Sequence, residues 1–249
     1  MRIPRVFVDQ PLDTDTQISL PAETAHYLLR VLRLPDTASI RVFNGGGGEY
    51  SATLRQTGKS SLSALLGTFN PDNRSSALHT HLGIAISRGE RMDWVIQKAT
   101  ELGVSSLTPL FSERCEVKLR GDRLSKKLEH WRKVSISACE QSGLNLVPEI
   151  GAPVPLSDWL AGASGRLKLI LHPGPAQPLE QSDNPETIAL LIGPEGGFTE
   201  QEVELASQRG FTPLQLGPRV LRTETAPIAA LSILQYRWGD IGDIAGTTD

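Results

Sequence analysis

Residues 192–199, Ile-Gly-Pro-Glu-Gly-Gly-Phe-Thr, have the pattern of a strand end that turns through glycines into a helix. Thr199 and Glu202 have the S/T-x-x-E spacing of a capping box, which places the helix start at this turn. Glycines before a helix let backbone groups approach a bound molecule without a Cβ in the way. In open α/β sheets, ligands bind outside the carboxyl ends of the strands. The segment therefore predicts a strand-to-helix turn that is either a ligand-binding loop or a purely structural one.

Strand and helix patterns alternate on both sides of this turn. Apolar runs typical of strands occur at residues 82–86, 107–111, 167–171, 187–192 and 214–216. Helical patterns separate them at residues 92–102, in a long helix with Trp131 on its apolar face, at residues 200–209 and after Thr223. This alternation predicts an α/β domain with a mostly parallel sheet.

The first part of the chain has short apolar runs separated by turn residues, which is typical of hairpins. One helix is predicted at residues 22–32. Residues 44–48, Asn-Gly-Gly-Gly-Gly, precede a strand pattern and no helix, which favours a hairpin turn over a phosphate-binding loop. The polar residues 70–76 indicate a linker. We predict a small β-barrel over residues 1–72, an α/β domain over residues 73–243 and a flexible tail over residues 244–249.

The composition is that of an ordinary globular protein, with 249 residues, 39% hydrophobic side chains and a formal net charge of -3. No run approaches the ~20 apolar residues of a membrane helix, and the first residues lack the pattern of a signal peptide. We therefore expect a cytoplasmic protein with no membrane partner. Cys115 and Cys139 have no metal-ligand spacing with the five histidines, so we expect reduced thiols and no metal.

A second loop has the same placement as the first. Residues 216–227, Leu-Gly-Pro-Arg-Val-Leu-Arg-Thr-Glu-Thr-Ala-Pro, also follow a strand pattern and lead into a helix. Two such loops in adjacent units would converge on one pocket. Arg222 and Glu224 would place one cation and one carboxylate there, the alternative being a surface ion pair. At the end of the long helix, Glu140, Gln141 and Asn145 could equally serve a ligand or the helix-end carbonyls.

Positive charge is concentrated in residues 114–133, which carry eight Lys and Arg against three Asp and Glu. Together with arginines of the first domain, this segment could form a phosphate-binding surface, the alternative being a solvated helix face. The predicted RNA-binding residues are Arg2, Arg5, Arg30, Arg33, Arg114, Lys118, Arg120 and Arg123.

With these segments the chain closely resembles the RsmE family, the 16S ribosomal RNA uridine-N3 methyltransferases of the SPOUT superfamily. The resemblance rests on MRIPR at 1–5, VLR at 31–33, IQKATELGV at 96–104, FSERC at 111–115, EQSG at 140–143, GPEGG at 193–197 and VLRTETA at 220–226. The segments occur in the same order as in the family and span essentially the whole chain.

This resemblance implies a PUA-like barrel that docks RNA, followed by a SPOUT domain with a deep trefoil knot. It also implies a homodimer, 16S ribosomal RNA or the small ribosomal subunit as substrate, and S-adenosylmethionine bound in bent form by the knot loops. The cofactor-binding residues that it implies are Leu171, His172, Gly193, Pro194, Glu195, Gly196, Gly197, Leu216, Gly217, Val220, Leu221 and Arg222.

Methylation at uridine N3 requires that this nitrogen lose its proton, because the methyl donor already carries its own activation as a sulfonium. We predict that Arg222 stabilises the negative base and that Glu224 accepts the proton. Asn145 is a third candidate, whereas Leu144 stands where family members commonly have arginine. Two alternatives remain: an RNA-binding protein without catalysis, and a SPOUT enzyme for another RNA or for a ribose 2′-hydroxyl.

Overall fold

The computed structural model describes residues 3–117, 119–172 and 184–242. Arg2, Lys118 and the predicted tail at 244–249 lie outside the described residues. The chain divides into two compact units, Met1–Ser75 with Ile136–Val147, and Ser76–Ser135 with Pro148–Asp249. The sequence did not indicate that residues 136–147 belong with the first unit.

The first unit is built on a five-stranded sheet in the order β1-β3-β4-β5-β2, in which only β1 and β3 pair in parallel. Its strands are β1 (Arg5–Phe7), β2 (Gln17–Ser19), β3 (Ser39–Phe43), β4 (Glu49–Gln56) and β5 (Leu62–Asn70). Residues 44–48 join the antiparallel strands β3 and β4, which confirms the predicted hairpin turn. Val42 and Leu54 are fully buried in the core beneath this sheet.

The predicted helix at 22–32 begins as α1 (Ala22–His26) but widens into a π-helical turn over Tyr27–Val31. The π-type bond runs from the Leu32 amide to the Tyr27 carbonyl over 3.0 Å. Leu28 is fully buried and anchors the turn in the core. Two residues beyond the turn, the backbone of Arg33 has a positive φ of 52°.

The second unit contains a parallel sheet in the order β12-β10-β11-β6-β7-β8, with β9 also paired to β7. Its strands are β6 (His79–Ala85), β7 (Ser106–Phe111), β8 (Glu149–Ile150), β9 (Val154–Pro155), β10 (Leu167–Leu171), β11 (Thr187–Ile192) and β12 (Thr212–Leu214). This confirms the predicted α/β class and mostly parallel sheet.

The sequence predicted a strand at residues 214–216, but the observed strand, β12, lies two residues earlier, at Thr212–Leu214. Strand β12 ends at Leu214 because its partner β10 ends at Leu171, directly across the ladder. The apolar Leu216 that suggested a longer strand packs against the core from a loop instead.

In the described part of the chain, the further helices are α2 (Arg91–Glu101), α3 (Asp122–Ser142), α4 (Leu156–Gly162), α5 (Glu200–Gln208) and α6 (Thr225–Trp238). The stripe of α2 predicted from the sequence is buried at Met92, Val95 and Ile96. Trp131 is also fully buried, and its Nε1 donates to Asp93 Oδ1 over 3.0 Å, which confirms its core role. Among the described residues, the helices are all too short or too polar to span a bilayer.

Candidate functional site

A cleft of about 560 Å³ opens in the second unit at the carboxyl ends of β10, β11 and β12. These ends meet at one edge because the three strands are parallel neighbours, which is where ligands of open α/β sheets bind. Two loops form most of its lining, residues 193–198 after β11 and residues 215–224 after β12.

The loop after β11 is held in shape at both ends. The Gly197 amide donates to the Pro194 carbonyl over 2.9 Å, and Gly197 itself has a φ of 67°, which favours glycine. Thr199 and Glu202 form the predicted capping box at the start of α5. The other carboxylate oxygen of Glu202 accepts the Glu113 amide over 2.8 Å. The turn is therefore a preformed wall of the cleft.

The loop after β12 leads into α6. The Arg222 carbonyl accepts the amides of Thr225 and Ala226, both over 2.9 Å, and so begins the helix. Leu221 packs against the core, whereas the Val220 side chain is fully exposed. The Arg222 guanidinium is exposed and has no ion-pair or hydrogen-bond partner in the described part of the chain. It is therefore available to a ligand.

Arg91, at the start of α2, links the two loops. Its Nη1 lies 2.6 Å from Glu195 Oε1 in the first loop, and its Nε lies 3.9 Å from Glu224 Oε2 in the second. The Arg114 Nη1 donates to the Gly196 carbonyl over 2.7 Å. Sequence reasoning missed Arg91, whose only local signal was its place after the strand pattern at 82–86.

The cleft gathers every residue predicted to bind the cofactor. Its lining includes Leu171, His172, Gly193, Pro194, Glu195, Gly196, Gly197, Leu216, Gly217, Val220, Leu221 and Arg222. Glu224 and Arg91 also line it. Their ligand-binding and catalytic roles stay predictions, but the predicted convergence of the two loops is observed.

Asn145 belongs to the first unit and is almost fully buried there. Its Nδ2 donates to the Asp72 carbonyl over 2.7 Å, and its Oδ1 accepts a hydrogen bond from Arg5. The neighbouring Leu144 packs with Phe43 and Cys139 in a small apolar cluster. These contacts give both residues a structural role, and the catalytic role of Asn145 stays a prediction.

Arg5, one of the predicted RNA-binding residues, is buried in the first unit. Its side chain is 8% exposed and pairs with Glu49 over 2.9 Å. Its guanidinium also donates to the Leu144 carbonyl over 3.0 Å and to the Cys139 carbonyl. Arg5 thus satisfies carbonyls near the C-terminal end of α3, and its predicted contact with RNA stays a prediction.

The other predicted RNA-binding arginines that the structure describes are exposed. Arg30 and Arg33 lie on the first unit, and Arg114, Arg120 and Arg123 lie on the second. Of these, Arg114 is engaged with the loop after β11 through the Gly196 carbonyl. An RNA-binding surface that includes the arginines of the first unit and those of the second stays a prediction.

The two cysteines are free thiols in this structure. Burial raises the pKa of Cys115, and it raises the pKa of Cys139 to about 12. Both are therefore protonated at neutral pH, which disfavours them as nucleophiles. Among the described residues, His, Cys, Asp and Glu form no group of three that could hold a metal ion.

Known proteins match both units. Residues 74–235 match the family described as RNA methyltransferase domain, and residues 20–66 match the RNA methyltransferase PUA domain. The ribosomal RNA small subunit methyltransferase E of Buchnera aphidicola (subspecies Schizaphis graminum) is 36% identical over 242 residues, which cover 96% of this chain and 98% of that protein. The chain belongs to the ribosomal RNA small subunit methyltransferase E family. It is therefore a member of an RNA methyltransferase family.

Two solved structures also resemble this member of the methyltransferase E family. A Legionella pneumophila chain described as a methyltransferase in complex with its cofactor SAM is 41% identical, with a TM-score of 0.93. The methyltransferase E of Neisseria gonorrhoeae bound to S-adenosylmethionine is 38% identical, with a TM-score of 0.91. Each match covers 96% of this chain and 100% of the other. The fold is thus that of a SPOUT RNA methyltransferase with a PUA-like domain.

Proposed function

We propose that this protein transfers a methyl group from S-adenosylmethionine to N3 of a uridine in 16S ribosomal RNA of the small subunit. The observation that carries the proposal is the cleft at the ends of β10, β11 and β12, where all the predicted cofactor residues meet. Relatives from Legionella pneumophila and Neisseria gonorrhoeae, both solved with this cofactor, support it.

The residues present fit this cofactor. The cleft volume of about 560 Å³ lies in the usual range for small-molecule sites. Glycines line the cleft at positions 193, 196, 197 and 217. The backbone at these positions can therefore approach a bound molecule with no side chain in between. Leucines 171, 214, 216 and 221 supply the apolar part of the lining.

When bound, S-adenosylmethionine supplies a methyl group that is already activated for transfer. The chain must therefore position uridine and stabilise its deprotonated form. The unpaired Arg222 guanidinium would stabilise negative charge on the base, and Glu224 would accept the N3 proton. Arg91 contacts both Glu195 and Glu224 and would hold the loop after β11 and the loop after β12 in a fixed position relative to each other.

We propose further that the protein acts as a homodimer in the cytoplasm and that its SPOUT domain contains the trefoil knot of the superfamily. Support for the dimer comes from the second unit, where α2 and α6 pack together and expose large side chains. Trp94 on α2 is 49% exposed, and Ile233 and Tyr236 on α6 are 42% and 73% exposed. Large exposed side chains on two helices that pack together are consistent with an association surface.

Gly193→Val is expected to weaken binding of S-adenosylmethionine about tenfold or more, a loss of about 1.4 kcal/mol. Even a Cβ at Gly193 would lie only 3.1 Å from the Phe198 ring, so the larger side chain displaces the loop after β11. Isothermal titration calorimetry measures the effect. Gly162→Ala is the control, because its Cβ meets nothing within 4 Å. Wild-type protein that binds no S-adenosylmethionine would contradict the proposed function.

A further inference from the structure

A second cavity, of about 800 Å³, adjoins the cleft in the second unit. We call it the side cavity; it is lined by residues 88–91 after β6, by residues 113–116 after β7, and by Glu195 and Gly196. Because β6 and β7 continue the parallel sheet beyond β11, the side cavity lies at the same edge of the sheet as the cleft. Arg91, Glu195 and Gly196 line both, so the two cavities share one wall.

Two buried serine hydroxyls lie at the ends of the strands that lead into the side cavity. Ser87 comes directly before the lining segment 88–91, and Ser112 comes directly before the lining segment 113–116. Ser87 is only 4% exposed, and within the described ranges neither Oγ has a hydrogen-bond partner. A buried hydroxyl without a partner costs free energy, so it calls for a functional or solvent partner. Both hydroxyls therefore favour a polar ligand at this end of the sheet.

Arg91 presents a free donor where the two cavities meet. Its Nη1 donates to Glu195 Oε1 over 2.6 Å, whereas its Nη2 has no partner among the residues that the structure describes. Nε and Nη2 lie on the same side of the planar guanidinium fork. Since Nε lies 3.9 Å from Glu224 Oε2, the free Nη2 donor stands beside a carboxylate acceptor.

This donor and this acceptor match one edge of uracil. Uracil presents its O4 acceptor next to the N3–H donor, whereas cytosine presents an amino donor next to an N3 acceptor. Nη2 of Arg91 would donate to O4 while Glu224 accepts the N3 proton. Cytosine would instead set donor against donor and acceptor against acceptor, so the pattern favours uracil.

We propose that the side cavity receives the acceptor uracil base and that Arg91 selects uracil over cytosine by donating from Nη2 to O4. This inference rests on the proposed function and names the residue that decides its base specificity. N3 then lies beside Glu224, at the boundary with the cleft that would hold S-adenosylmethionine. The negative charge left when N3 loses its proton is shared with O4, so Arg91 also stabilises part of that charge.

The test measures the affinities of uridine 5′-monophosphate and cytidine 5′-monophosphate for the full-length protein by NMR titration. The protein is loaded with S-adenosylhomocysteine, which is what remains of the cofactor after methyl transfer. Wild type is expected to prefer the uridine nucleotide about tenfold, within the range of one bidentate contact to a base edge. Arg91→Met should abolish this preference, and Arg91→Lys, which keeps a donor but loses the fork, should retain part of it. If Arg91 only held the loops, its loss would weaken both nucleotides equally and leave the ratio of the two affinities unchanged.

Arg88→Trp tests the location, because Arg88 lines the side cavity but is not part of the lining of the cleft. The indole is expected to fill the side cavity and to weaken binding of the uridine nucleotide about tenfold. The change should cost little stability, because the Arg88–Glu116 ion pair that it removes is exposed. Arg209→Met, at an exposed position at the end of α5, is the matched control for Arg91→Met.

Equal wild-type affinities for the two nucleotides, or an unchanged ratio in Arg91→Met, would overturn the inference. Unchanged binding in Arg88→Trp, or a ratio that falls as far in Arg209→Met as in Arg91→Met, would overturn it too. Binding of S-adenosylhomocysteine is measured first. Wild type that binds it without preferring the uridine nucleotide overturns this inference alone, whereas wild type that does not bind it counts against the proposed function as well.

Discussion

Arg222→Ala is expected to lower the kcat of methyl transfer about a hundredfold to a thousandfold, the effect of removing one preorganised group that stabilises a developing anion. The Arg222 guanidinium lies on the lining of the cleft and has no partner in the described part of the chain. Its positive charge is therefore available to a ligand in the cleft. The affinity for S-adenosylmethionine should change much less than kcat, because the charge on the base develops only during transfer.

Single-turnover assays with small ribosomal subunits separate these effects. Arg222→Lys should retain part of the rate, since it keeps the charge but loses the planar donor fork. Arg209→Ala, an exposed arginine at the end of α5, is the control. Wild-type turnover in Arg222→Ala would exclude Arg222 as the stabilising group.

Arg5→Met is expected to lower the free energy of unfolding by about 3 kcal/mol, the loss typical of one partner removed from a buried ion pair. Glu49 is only 12% exposed, and among the described residues it would keep Arg41 alone as an ion-pair partner, with the Arg41 Nε 3.7 Å away. The carbonyls of Cys139 and Leu144 would also lose their donor. Methionine keeps much of the volume of the arginine side chain. The loss of unfolding free energy therefore reports mainly on the missing charge and hydrogen bonds.

Urea denaturation followed by circular dichroism measures this change. Arg55→Met on the exposed part of β4 is the matched control and should shift the midpoint little. The double variant Arg5→Met/Glu49→Gln should recover part of the loss, because it removes the unpaired buried charge. A loss below about 0.5 kcal/mol in Arg5→Met, the range of an ordinary surface substitution, would contradict the buried role.

The sequence predicted the parts of the fold that depend on local pattern. The strands at 167–171 and 187–192 were predicted with the bounds observed for β10 and β11, because their apolar runs are continuous and end at turn residues. The capping box at Thr199 was also recognisable, because both of its partners lie within four residues. The loops at 193–197 and 216–222 could be assigned to one cleft, since both follow parallel strands.

Other features depend on contacts between residues far apart in the chain. Arg91 contacts Glu195 more than a hundred positions away, and nothing near Arg91 indicates this. Arg5 appeared to be a free cation because its partners at 49 and 139–145 approach it only in the folded chain. The π-helical turn at Tyr27–Val31 has the same apolar spacing as an α-helix, so periodicity alone predicted an ordinary helix.

The most direct test of the proposed function is transfer of labelled methyl from S-adenosylmethionine to small ribosomal subunits that lack their native uridine-N3 methylation. The RNA is then digested, and its nucleosides are separated. We expect the label in 3-methyluridine, with none on subunits that already carry the modification. Label in another base or in a ribose 2′-hydroxyl, or no transfer by protein that binds S-adenosylmethionine, would contradict the account.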